Sequence, residues 1–193
     1  MADKTYICNQ AIIHLGGTPV LDIEAETGKK GIVLKTVYDE ARKMAIVDHP
    51  WKFATRRAIL TEKVAAPIFG FAHAYALPTG CLRILGMCGS DGEIDPTIVF
   101  KVEGGELLTN ESTAKVKYLM DIPDEGAFSP GFVMAFSYQL AALGAYGITG
   151  NGSLKTAIME EYLSLGLPKA KSLDSQEGTP ELYESNDWVM SRL

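Results

Sequence analysis

A chain of 193 residues with 47% apolar and 22% charged side chains is long enough to remove about 70% of its unfolded surface from water, and its composition excludes the disordered class. A formal net charge of −6 is the wrong sign for gripping nucleic acid, which needs clustered Lys and Arg, although like charge suits a wall past which DNA slides. Cys8, Cys81 and Cys88 form no C-x-x-C pair and His14, His49 and His73 are scattered, so neither a disulfide framework nor a zinc site is implied.

The opening MADKTYICNQ has no basic region followed by an apolar run, so synthesis in a reducing cytoplasm is expected. Asp3 or Thr5 can cap a first helix in which Cys8, Ala11, Ile12 and Leu15 share a face, and Gly16-Gly17 stops it. From about Gly28 a longer helix follows, with Leu34, Val37, Tyr38, Ala41, Met44 and Ala45 on its apolar stripe and Lys35, Asp39, Arg42 and Lys43 mostly off it. His49-Pro50 ends that helix, because proline disfavours the α conformation in the residue before it.

Between Trp51 and Ile122 the period becomes alternating, with Pro and Gly as punctuation at Pro67, Gly70, Pro78, Gly80, Gly86, Gly89 and Gly92. Ile98, Phe100 and Val102 share one strand face, Gly104-Gly105 turns the chain, and Glu106–Thr109 returns; Val116 and Tyr118 alternate on a third run. Trp51 and Phe53 anchor the helix-to-strand junction, and Leu77-Pro78 with Gly80 makes a turn between strands.

Ser129 to Tyr146 is helical again, with Phe132, Phe136, Leu143 and Tyr146 on one side and Val133, Leu140 and Ala141 on another. The segment from Ala127 to Leu154 carries no charge, but Pro130, Gly131, Gln139, Gly144 and Gly147 interrupt it, which argues against a membrane span. The reading preferred is a helix whose second face is covered by a neighbouring subunit. Asn151 or Ser153 then caps a helix with Leu154, Ala157, Ile158 and Leu165 inward, which Gly166 and Pro168 break or kink before Leu173. After Asp174 the polar stretch with isolated Tyr183, Trp188 and Met190 reads as an arm that docks on a partner through those anchors. The fold class expected is therefore α+β: a helical bundle from 1–50 and 129–174, an antiparallel β-rich insertion at 51–128, and an extended arm at 175–193.

No G-x-S-x-G, H-E-x-x-H, P-loop or dinucleotide fingerprint is present, so no cofactor and no metal are expected and the chain reads as a structural protein rather than an enzyme. Gly150-Asn151-Gly152-Ser153 is better explained as a helix cap than as a phosphate loop. Cys81 with His73 is a conceivable nucleophile pair, and a small core cysteine is the plainer reading. Glu103 and Glu106 flank the hairpin turn and could approach the separation of about 5 to 9 Å that glycoside hydrolysis uses, with Asp121, Asp124 and Glu125 as further carboxylates.

Several segments together resemble the tail tubular protein A family, the head-to-tail adaptors of short-tailed, podovirus-type phages. They are YICNQAIIHLGG from Tyr6, YDEARKMAIVDHPWKFATRRAIL from Tyr38, FAHAYALPTGCLRIL from Phe71, KVEGGELLT from Lys101 and KAKSLDSQEG from Lys169. The resemblance implies a helical bundle with a β insertion, assembled as a ring of about twelve copies between the portal and the tail nozzle of a virion, with genomic DNA passing through the hole. Portal contact through Tyr183, Trp188 and Met190 is the corresponding expectation for the arm. Two alternatives stand beside it: an adaptor that also hydrolyses cell-surface glycan, and an assembly module outside any virus.

Overall fold

The computed structural model describes residues 2–176. The fold is α+β, and its elements in chain order are α1 Lys4–His14, α2 Lys29–Val47, β1 Thr55–Ile59, β2 His73–Ala76, β3 Cys81–Met87, β4 Phe100–Glu103, β5 Glu106–Thr109, β6 Lys115–Met120, a 3₁₀ turn Glu125–Ala127, α3 Pro130–Thr149, α4 Gly152–Glu161, a π turn Tyr162–Gly166 and α5 Leu167–Ser175. The arm residues Tyr183, Trp188 and Met190 lie outside the described residues.

Local chemistry sets the helix boundaries. Asp3 accepts from the Tyr6 amide at 2.7 Å, Ser129 from the Phe132 amide at 3.3 Å and Asn151 from the Ser153 amide at 3.0 Å, each satisfying an amide that the first turn leaves free. Gly150 closes α3 in the left-handed conformation, φ 71°, so the Gly-Asn-Gly-Ser run is a C-cap followed by an N-cap. The break or kink expected at Gly166 and Pro168 takes the form of a π turn. The Leu167 amide donates to the Tyr162 carbonyl, five residues back, and this wider register lets Pro168, which has no N–H, fall in the first turn of α5.

α3 runs through the middle of the bundle, packed against α1, α2, α4 and α5. Phe132, Phe136, Ala135, Leu140 and Ala141 are fully buried. It is a helix long and apolar enough to cross a membrane, yet 72% of its most apolar window is buried inside this chain. Much of the cover assigned to a neighbouring subunit is thus supplied by the chain's own helices, while Tyr146, grouped by its spacing with Phe132 and Phe136, is 68% exposed. Similar corrections hold at Met44, Ala157 and Leu165, which face solvent, while Arg42 is buried.

Both sheets are antiparallel, with orders β1-β6-β3 and β2-β5-β4. The hairpin β4-β5 turns through Gly104 and Gly105 at φ 59° and 81°, a pair of positive φ values that two glycines adopt without strain. The third run containing Val116 and Tyr118 does not extend that hairpin; it is the centre strand of the other sheet. Likewise β2 and β3 do not pair. Pro78 accepts from the Cys81 amide at 3.0 Å with Gly80 at φ 76°, and this turn carries the chain from one sheet to the other.

The first sheet has a core on each face. Leu82, Leu85 and Leu119 pack on the helical core, whereas Met87, Val116 and Tyr118 join Leu60, Tyr75 and Leu107 of the β core. The alternation on β6 follows from the two-residue side-chain period of a strand.

Candidate interaction surface

The polar groups buried in the bundle serve its packing. Asp48 accepts from Gln139 Nε2 at 2.7 Å and from the Tyr162 hydroxyl at 2.6 Å, tying the end of α2 to α3 and the π turn. Burial, with this carboxylate beside it, pushes the Tyr162 hydroxyl far above its ordinary range. Asp174, 3% exposed, accepts from the Lys52 amide at 3.1 Å and meets His49 Nε2 at 3.1 Å, which locks α5 to the helix-to-strand junction. Arg42 spans Asp39 and Asp121, reaching Asp121 through Nε at 3.0 Å and Nη2 at 3.1 Å. Trp51 donates from Nε1 to the Ala45 carbonyl at 2.8 Å and stacks edge-on against Phe132, with Phe53 alongside.

Of the candidate catalytic pairs, Glu103 and Glu106 are brought side by side and His73 and Cys81 are placed on different sheets. His73 stands on β2 and is bound to Glu62 at 2.6 Å, while Cys81 stands on β3 in the other sheet and burial raises its pKa. Glu103 and Glu106 are register partners across the hairpin end; Glu106 is paired with Lys63, and Glu103 lies 3.7 Å from Lys101. Asp121 is engaged by Arg42, Asp124 caps the 3₁₀ turn, and Glu125 accepts from the Tyr38 hydroxyl at 3.2 Å. Among the described residues no group of three or more His, Cys, Asp or Glu side chains could hold a metal ion.

What the surface does offer is a projecting apolar loop. Between β1 and β2 the run Val64-Ala65-Ala66-Pro67-Ile68-Phe69-Gly70-Phe71-Ala72 has no side chain that is charged or hydrogen-bonding. Val64, Ile68 and Phe69 are 107%, 97% and 86% exposed, with Leu21 the extremes for large apolar groups among the described residues. The base of the loop is nonetheless fixed. The Lys63 amide donates to the Ala74 carbonyl at 2.8 Å, the Ala76 amide to the Thr61 carbonyl at 3.0 Å, and the Ala72 amide to Asn110 Oδ1 at 3.0 Å. The loop thus combines a base fixed by hydrogen bonds with an uncovered apolar tip.

Two of the clefts with mainly apolar walls bear on this surface. One, of about 450 Å³, lies between α1 and the start of α3 against Tyr6, Phe128, Pro130 and Val133. The other, of about 270 Å³, opens on the first sheet, walled by Ile59, Cys88 and Val116 and rimmed by Arg57 and Lys115. The loop at 64–72 escapes a reading for periodicity because it has none; its signal is the absence of charge over nine residues between strand patterns.

No protein-family model matches the chain, and no curated protein matches it.

Proposed function

We propose that this chain is a structural subunit of a short-tailed phage, an adaptor that assembles as a ring of about twelve copies at the head-tail junction, between portal and tail nozzle. The observation that carries an assembly role is the fixed loop whose Val64, Ile68 and Phe69 stand almost wholly in water. Leaving three large apolar groups uncovered costs a free monomer about 1.5 to 3 kcal/mol each relative to burial, a cost that association removes. The sequence resemblance supplies the particular assembly. The net charge of −6 suits a channel past which DNA moves without sticking.

Electron microscopy of the purified chain mixed with portal tests the reading. Closed rings stacked on the portal are the expected result, together with no tight binding of duplex DNA by the free chain at physiological salt. Portal particles without added density, or a free chain that binds duplex tightly, would overturn it.

A further inference from the structure

The loop tip needs a partner with particular properties. Among the described residues, the backbone groups of 64–71 make no main-chain hydrogen bond within the chain, so insertion into lipid would strip them of water with nothing in return. A net charge of −6 also opposes an anionic membrane surface. A protein surface that leaves the loop backbone wet on one side avoids both penalties.

The same chain carries a fitting receptacle. The cleft on the first sheet, about 270 Å³, falls below the usual range for small-molecule sites, about 300 to 1,000 Å³, and suits one or two large apolar side chains. Its floor is Val116, 1% exposed, and its wall includes Ile59, 69% exposed. The charges around the two features are opposite in sign. Arg57 and Lys115, both basic, are the charged residues that line the cleft, with Lys117 behind; Glu93 pairs with Arg57 and Lys117, and Asp91 and Asp95 stand in the adjoining turn. At the loop base Glu62, Glu106 and Glu111 outnumber Lys63.

We propose that the tip formed by Val64, Ile68 and Phe69 seats in the Ile59–Cys88–Val116 cleft of a second copy of this chain, with Glu62 and Glu111 of the loop base facing Arg57 and Lys115 of the cleft rim. Knob and cleft are different surfaces, so the contact is head-to-tail and leaves each copy with one knob and one cleft to engage further copies. This deepens the ring reading by naming the contact between neighbours. It rests on that reading only for closure.

Because Cys88 lines the cleft, the full-length chain is prepared with Cys88→Ala and, in that background, with Phe69→Cys, with Ile59→Cys, and with both substitutions. Phe69 and Ile59 are 86% and 69% exposed, so neither change disturbs the folded monomer. Under mild oxidation the two single variants mixed together should form a disulfide-linked pair that neither forms alone, and the double variant should form a ladder extending beyond dimer. Ile68→Ser with Phe69→Ser should weaken self-association by about tenfold or more per residue, without changing the thermal midpoint of the monomer. Absence of the mixed disulfide, a ladder that stops at dimer, or self-association that survives both serines would overturn the proposal. If rings on the portal still form in that event, the adaptor reading stands and only the loop contact falls; if the ladder forms without portal rings, the reverse holds.

Discussion

Trp51 is the residue on which most of the junction depends, because it is fully buried, donates to Ala45 and contacts Phe132. Trp51→Ala should destabilise the fold by about 3 to 5 kcal/mol, read from denaturant unfolding, and a loss under about 1 kcal/mol would remove its anchoring role. Gly131 reports on helix contact in the same way: a Cβ there would meet the Ala170 carbonyl at 2.8 Å, so α3 and α5 pack closely only because no side chain stands between them. Gly131→Ala should cost about 1 to 3 kcal/mol by overpacking, against a gain in helix propensity that is smaller. Some of this was legible in advance, since two aromatics just after a helix-ending His-Pro belong at a buried junction. The burial of Arg42 was not: its partner Asp121 is 79 residues away, and no local pattern announces a charge neutralised at that distance. Once Arg42 turns inward on α2, Met44 is left in solvent.

At the level of elements, caps and glycines placed the helices closely, because Asp3, Ser129, Asn151 and Gly150 act within a turn of where they stand. Strand existence was readable for the same reason, but strand partners were not. A two-residue period says which face of β6 is buried without saying which strand lies beside it, so its place between β1 and β3 had to be seen. The π turn also hides in sequence, since Gly166 and Pro168 read equally well as a break. The junction of α5 with the first strand region carries a pH dependence. Burial lowers the pKa of His49 below 6.5, outweighing the opposing pull of Asp174, and burial lowers that of His14 as well. Unfolded chains therefore bind more protons than folded ones as pH drops below about 6.5, and stability, full above that value, falls as pH descends through the lowered pKa values. Urea midpoints taken between about pH 7.5 and about pH 5 should decline, and His49→Gln should flatten the decline; an unchanged slope in that variant would place the titration elsewhere.

For the whole molecule, the buried share of α3 is covered by the chain's own helices, while large apolar groups stand exposed both on the bundle, at Tyr146, Leu163 and Leu165, and on the loop at 64–72. That cover differs from the one the charge-free stretch around α3 suggests, and the reason is physical: an all-round apolar helix has the same composition whether its cover comes from its own chain or from a neighbour. An ordering by burial separates the cases, and no reading of composition does. The Ile68→Ser, Phe69→Ser chain should accordingly be at least as soluble as the wild type and unfold at the same temperature, because these side chains are 97% and 86% exposed in the monomer. A fall in the thermal midpoint by several degrees would mean that the loop packs on its own domain. The most direct measurement is electron microscopy of the full-length chain incubated with purified portal: closed rings with an axial hole seated on one portal face are the predicted images, and bare portals beside unassembled chain would contradict the assignment.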